Sequence, residues 1–312
     1  MNRRVMLLGG SGFIGTHLTR RLLEEGIDPV VVDWVRPSVA GVEYHAAELR
    51  TVVDLTPALL ESVEAVYLLA WTTKPQAANQ SPAYDLESNV FAGLHFLDGL
   101  RGLRRRPRVI FVSTGGAIYG APELLPTPET ACARPIGAYG IGKLAFEHYL
   151  DLYQRIHGID YLVVRPGNPY GEGQDPAASQ GAVGVFLGRL ARGEAIHIWG
   201  DGQIVRDYLY IRDLAEGLRL ALDYHPADAH APRIFNLGSG AGVSLNELIA
   251  RIEVVTETKL EVSHEPARSV DVPAIVLDCA RANDLLGWKA RTTLDEGLAR
   301  TWDWVRDSWA RA

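Results

Sequence analysis

Apolar residues along the chain fall into short unbroken runs, separated by stretches in which they recur every three or four positions. Arg4–Leu8 predicts a buried strand, and a helical pattern follows through Leu18, Leu22 and Leu23 until Gly26 stops it. Pro29–Asp33, Val63–Ala70, Arg108–Ser113 and Tyr161–Arg165 repeat the strand pattern. Helices are predicted between the last three, over roughly Pro82–Leu103 and Ile136–His157. Strands this apolar are covered on both faces, and their alternation with helices predicts an α/β fold built on a doubly wound parallel sheet. After Pro166 the pattern changes. Gly167–Gly184 is rich in Gly, Pro and small polar residues and reads as loop. A helix over Val185–Arg192, a strand near Ile196–Trp199, a helix from Leu214, the segment Ile234–Leu237, a helix near Leu245–Val254 and a terminal helix complete the chain. This second half predicts a smaller α/β domain packed on the sheet, with the chain crossing between the two more than once.

Composition narrows the function classes. The 312 residues carry a net charge of −7, with no run of five or six like charges, so nucleic acid and membrane surfaces are not expected partners. Arg104, Arg105 and Arg106 are read as a solvated helix end. The two cysteines, Cys132 and Cys279, are far apart and lack metal-ligand spacing. They predict no disulfide framework and no metal site, and a cytoplasmic protein. No apolar run approaches the ~20 residues that span a bilayer.

Gly9, Gly12 and Gly15 stand between the first strand and the first helix, in Gly9-Gly10-Ser11-Gly12-Phe13-Ile14-Gly15. A dinucleotide pyrophosphate needs a tight turn, close backbone approach and a helix N-terminus aimed at it, and glycine permits all three. Such spacing is weak alone and strong in this strand–helix context. Asp33 ends the second strand, where a carboxylate can accept from both adenosine ribose hydroxyls and repels a 2′-phosphate. NAD is therefore the expected cofactor, although Arg36 nearby leaves NADP open.

Tyr139 and Lys143, in Tyr139-Gly140-Ile141-Gly142-Lys143, are four apart on a predicted helix and share a face. A phenol ionises near pH ~10. A neighbouring ammonium and an oxidised nicotinamide both favour the phenolate, which makes Tyr139 a candidate general base. The pair is common on helix surfaces and gains its meaning from the glycine turn and Asp33 upstream.

Together these residues resemble the extended short-chain dehydrogenase/reductase family, in particular the UDP-hexose 4-epimerases. The resemblance spans nearly the whole chain: residues 9–15, Leu69-Ala70-Trp71, Asn89, Ser113–Gly120, Tyr139/Lys143, Arg165–Gly171 and Val205–Tyr210. It implies a Rossmann domain over 1–166, with returning segments near 204–238, and a mainly sugar-nucleotide-binding domain over 167–312. By family position Phe13 and Ile14 join the glycines at the dinucleotide, Glu48 and Leu49 lie at the adenine, and Leu69, Ala70, Trp71 and Asn89 line the cofactor. Lys143 also holds the nicotinamide ribose. The resemblance places Asn168, Arg206 and Arg268 at the diphosphate and Asp271 at the uridine ribose; it does not locate the residues that select the sugar, for which Thr72, Thr73 and the loop from Gln174 to Gly181 are the candidates. Relatives dimerise through the two long helices, here with Leu86, Val90, Leu94 and Leu97 at helical spacing, so a homodimer is expected, the alternative being that this stripe faces the sheet.

One place departs from the family. Its catalytic Ser or Thr stands five residues before the Gly of a Tyr-Gly pair, which here is Gly115. Thr114 is the expected substitute, then Ser113, and the bare backbone at Gly115-Gly116 is expected to admit the sugar closely. The acid–base pair of the family's 4,6-dehydratases is replaced by Gly116 and Ala117, and the Cys and His of its epimerase-reductases have no counterpart near the motif. The reaction implied is epimerisation at C4 of a UDP-sugar, through oxidation and re-reduction of one carbon. A net reductase or dehydrogenase using the same Tyr and Lys is the alternative, and a non-catalytic NAD-sensing module is a third.

Overall fold

The computed structural model describes residues 3–52, 57–175, 181–266 and 272–309. Seven parallel strands form its central sheet: β1 (Arg4–Leu8), β2 (Asp28–Asp33), β3 (Glu43–Ala46), β4 (Ala65–Leu68), β5 (Arg108–Val112), β6 (Tyr161–Pro166) and, from later in the chain, β10 (Ile234–Leu237). Their spatial order is β10-β6-β5-β4-β1-β2-β3. The order reverses between β1 and β4, and in open parallel sheets ligands bind outside the strand C-termini at such a switch point. Val5, Met6, Leu7, Val30, Val31, Val66, Ile110, Phe111 and Val163 are wholly buried, with helices on both faces of the sheet.

The second half adds two small sheets. One joins β7 (Asn168–Tyr170), β9 (Val205–Tyr210) and β11 (Gly242–Ser244); the other pairs β8 (Ile196–Trp199) with β12 (Val262–Glu265). The stretch 167–184 is thus not loop throughout. Asn168, Pro169 and Tyr170 pair with Tyr208, Leu209 and Tyr210, and a helix begins at Ala182. β3 was also hidden, because its half-exposed Glu43-Tyr44-His45-Ala46 lies at the sheet edge and has no apolar run.

Two helices set the site's frame. The one over 82–101 is continuous, but its middle, Leu86–Phe91, widens into a π-helical turn that brings Asp85 and Asn89 both inside. The stripe expected to face a second subunit mostly faces inward: Val90 and Leu97 are buried and only Leu86 is exposed. The second helix, Ala138–His157, ends at Gly158 in the left-handed region, a C-terminal stop that glycine adopts without a Cβ penalty. Gly93 lets the two helices meet, since a Cβ there would lie 2.3 Å from the buried Phe146 ring. Among the described residues, no helix is long and apolar enough to cross a membrane.

Gly93→Ala is therefore expected to cost ~1–3 kcal/mol by overpacking, read as a lower urea midpoint. An unchanged midpoint would show that Phe146 has room to turn aside.

Candidate active site

The first turn of helix Phe13–Glu24 is capped by Gly12 with no side-chain hydrogen bond, so its N–H groups face outward as an anion seat. Gly9 sits at φ +84° with its amide donating to the Val32 carbonyl at 2.9 Å, and a Cβ there would strike the Ala70 nitrogen at 2.6 Å. Gly15 has a different task. A Cβ on it would meet Gly10 at 2.6 Å, so it seats the helix on the turn behind the cleft. Phe13 and Ile14 are half-buried and pack on the core.

A cleft of about 470 Å³ opens along this turn. Gly9, Gly12, Asp33, Glu48, Leu49, Leu69, Ala70, Trp71, Thr72 and Asn89 all line it. Asp33 accepts from the amides of Ser11 at 3.0 Å and Val35 at 3.2 Å. A carboxylate has about four lone-pair sites, which leaves it capacity toward the cleft. Arg36 lies over the Tyr44 ring, 5.2 Å from its centroid. Asn89 is spent within the protein. Its Oδ1 accepts from the Thr72 amide at 2.7 Å and the Thr72 hydroxyl at 3.0 Å, and its Nδ2 donates to Thr73 and Asp85. It shapes the wall at Trp71 and Thr72, and the Thr72 hydroxyl is engaged there.

Tyr139 and Lys143 stand behind Trp71. The tyrosine meets the indole edge to face at 6.3 Å between centroids, and the Lys143 ammonium lies 4.0 Å from the indole centroid and 4.7 Å from that of Phe111. Lys143 also donates to the Val112 carbonyl at 2.8 Å. Burial pushes the phenol of Tyr139 well above its ordinary range, and the Asp85 charge adds to this. Burial likewise pulls Lys143 down to about 7, opposed by Glu147 and Asp85. The protein's own groups therefore hold the phenol protonated; Lys143 alone does not acidify it as its spacing suggested.

Ser113 and Thr114 diverge at the end of β5, as strand alternation dictates. Ser113 donates to Glu147, whose carboxylate forms a buried pair with Arg165 at 2.5 Å. Arg165 in turn donates to the Tyr119 hydroxyl at 2.9 Å. Ser113 is thus committed to a structural network. Among the described residues no protein group takes the Thr114 hydroxyl. The room expected beside Gly115 is filled by protein: a Cβ there would meet Leu277 at 2.5 Å and the Pro166 carbonyl at 3.0 Å. Gly116 lies beside Asn168 and Thr114. A Cβ on it would lie 3.3 Å from Asn168 Oδ1 and 4.0 Å from Thr114 Oγ1.

Asn168 and Tyr208 are register partners across β7 and β9, and Arg206 is two residues from Tyr208 on the same face. Asn168 Oδ1 and the Tyr208 hydroxyl are buried without a hydrogen-bond partner. The Tyr208 hydroxyl can donate to a ligand oxygen, whereas Asn168 Oδ1 can only accept, so the pair suits a ligand that offers both a donor and an acceptor. Arg206 is anchored by donating to the carbonyls of Val205 at 2.9 Å and Val272 at 2.8 Å. Tyr208 and Asp85 were not singled out from sequence. Alternation along Val205–Tyr210 signals the first, whereas nothing local marks the second. Arg268 and Asp271 lie outside the described residues, as does most of the loop after Gln174.

Three comparisons bear on this arrangement. A model of the NAD dependent epimerase/dehydratase family matches residues 5–238. A UDP-glucose 4-epimerase of Mycolicibacterium smegmatis is 31% identical over 317 residues, covering 97% of this chain and 99% of that protein. The structure of UDP-glucose 4-epimerase from Thermotoga maritima with UDP-glucose is 33% identical with a TM-score of 0.89, covering 98% of this chain and 99% of the other. That of the Thermus thermophilus enzyme with NAD is 31% identical with a TM-score of 0.87, covering 97% and 99%.

Ser113→Ala removes a buried donor to a charged group and is expected to cost ~1–3 kcal/mol of stability, measured by urea unfolding. Undiminished stability would release Ser113 from the network and return it to the reaction.

Proposed function

Since the chain belongs to the NAD-dependent epimerase/dehydratase family, we propose that it interconverts two UDP-hexoses epimeric at C4. The observation that carries this reading is the pairing of Tyr139 with Lys143, 5.7 Å from ring centroid to ammonium, behind Trp71 in the wall of the cleft that opens at the sheet's switch point; Thr114 and Asn168 meet at Gly116, beyond the ends of β5 and β6. The relatives named for UDP-glucose epimerisation, and the solved structures holding NAD or UDP-glucose, support it. NAD would lie along the 470 Å³ cleft, with its pyrophosphate on the Gly9–Gly15 turn, Asp33 accepting from the adenosine ribose and Lys143 donating to the other ribose. When bound, it supplies a hydride acceptor and then a hydride donor.

This chain's residues do the rest. Asn168, Tyr208 and Arg206 hold the diphosphate side of the sugar nucleotide, guanidinium matching phosphate oxygens. Arg268 and Asp271 remain assigned to the diphosphate and uridine ribose by resemblance alone. Thr114 donates to the reacting sugar oxygen, and Tyr139 takes the proton of O4 as C4 is oxidised. The 4-keto sugar turns over and Tyr139 returns the proton after re-reduction on the opposite face. Burial makes the phenolate costly until a second positive charge joins that of Lys143, so proton removal is confined to the loaded site.

The assembly we infer is a homodimer. The outer face of Ala138–His157 exposes Ile141, Tyr149, Leu152 and Ile156, and the neighbouring helix exposes Leu86 and Phe91. Such a stripe is more apolar than a solvated helix face requires. Ile156→Glu with Phe91→Glu is expected to shift sedimentation from twice the single-chain mass to that of one chain; wild-type protein sedimenting as one chain would end the inference.

The activity is tested by incubating the NAD-loaded protein with UDP-glucose, UDP-galactose and their N-acetyl and uronic relatives, and resolving products by chromatography. A C4 epimer without net NADH is the expected product, whereas stoichiometric NADH would favour the dehydrogenase reading. Tyr139→Phe should bind NAD and lose at least ~10²-fold in turnover. Thr114→Val should lose on the order of 10²-fold, as for one lost oxyanion-type donor. Near wild-type turnover in either variant would remove that residue from the mechanism.

A further inference from the structure

Asp85 is wholly buried in the helical segment Pro82–Asp85, where it faces the Tyr139 helix across a glycine. Its Oδ1 is saturated: the Thr73 hydroxyl donates to it, and Asn89 Nδ2 donates to it at 3.0 Å. Its Oδ2 is buried and accepts no hydrogen bond. A Cβ on Gly142 would lie 2.9 Å from that Oδ2 and 3.4 Å from the Trp71 ring. Lys143, the next residue, holds its ammonium over the same Trp71 ring. An unpaired carboxylate oxygen and a buried ammonium thus flank one aromatic side chain.

The other charges packed around Lys143 are accounted for. Glu147, one turn along its own helix, is paired with Arg165 from β6 and still favours the ammonium. Tyr139 is held as a phenol by burial, and among the described residues the β4 and β5 side contributes Trp71, Phe111 and the Val112 carbonyl. Among the described residues, no cation makes a salt bridge to Asp85. We propose that Asp85 is the buried counter-charge of Lys143, a positioning residue held by Thr73 and Asn89 that keeps the lysine an ammonium beside Tyr139. The two act through a dry interior without touching, where charges several ångströms apart interact more strongly than in water. Burial drags Lys143 toward neutrality, and Glu147 and then Asp85 oppose it; burial also raises Tyr139, and Asp85 adds to that. The effect on turnover rests on the assignment of Tyr139 and Lys143 to the reaction; the effect on the lysine does not.

The chain has four lysines, so 13Cε-labelled lysine resolves the Lys143 titration directly. In Asp85→Asn, with the amide keeping the carboxylate's shape, the apparent pKa of Lys143 is expected to fall by on the order of one unit. Gly142→Ala, which presses a methyl group against Oδ2, is expected to move it in the same direction and covers the case in which Asp85→Asn does not fold. Both limbs of the kcat/KM profile should slide toward acid by a similar interval, since the phenol is relieved of the same anion. An unmoved lysine titration in both variants overturns the counter-charge. A shifted titration with an unmoved turnover profile keeps it and overturns instead the place of Lys143 in the reaction.

Discussion

The site depends on one buried ion pair. Glu147 and Arg165 are each about 4% exposed and bridge the helix Ala138–His157 to strand β6. Isolated, either charge would be untenable there. Breaking such a pair by removing one partner typically costs ~3–5 kcal/mol. The pair fixes more than two residues: Glu147 receives the Ser113 hydroxyl at the end of β5, and Arg165 holds Tyr119, which donates to Asn236 Oδ1 at 2.7 Å. Asn236 lies on β10, so the chain's return to the sheet is tied to the helix that carries Tyr139 and Lys143. One turn separates Glu147 from Lys143, and any rotation of that helix would show at both.

Glycine makes the close docking possible. A Cβ on Gly140 would strike the Ala117 carbonyl at 2.5 Å, and one on Gly142 would strike Asp85. These two glycines alternate with Tyr139, Ile141 and Lys143, so the helix presents bare backbone to its neighbours over the same turn that carries Tyr139 and Lys143. Glycine inside a helix costs roughly 0.5–1 kcal/mol relative to alanine. The cost is offset by the contacts it admits, which bury the ammonium among Trp71, Phe111 and Phe146, with the half-buried Tyr139 at the edge of Trp71. Burial in turn sets the electrostatics. It lifts the phenol and lowers the ammonium at once, so the charge state of the pair is decided by what else is buried with it.

How legible these features were depended on their range. The central strands announced themselves because both of their faces are buried, and buried faces need unbroken apolar runs. The glycine turn was legible because a strand before it and a helix after it are local. β7 was concealed by the Gly-Pro-rich composition that also suits a loop, and its partners Tyr208–Tyr210 lie 40 residues downstream. The apolar stripe over Leu86–Leu97 read equally well as an interface or as a face toward the sheet. The π turn at Leu86–Phe91, which has no sequence period of its own, decided largely for the sheet. Ser113 and Thr114 are chemically alike, and only the position of Glu147 separates them. Asp85 looked like one more polar residue at a helix start.

Gly115 shows why a family departure is best read with its neighbours. A missing hydroxyl at that place suggests open space for substrate, yet Leu277 and the Pro166 carbonyl fill it. Leu277 belongs to a segment whose amide is held by Asp207 at 3.1 Å, and Asp207 also takes the amide of Ser239 at 2.6 Å. The second half of the chain is thus packed down onto the turn that carries Thr114, and a larger residue at 115 would push it away. The glycine and the leucine form one solution: small on the sheet side, large on the covering side. Next to that glycine, Thr114 carries a hydroxyl that no described residue takes, and a Cβ on Gly116 would already crowd Asn168 Oδ1 at 3.3 Å, so each residue of this turn is fixed by a different neighbour.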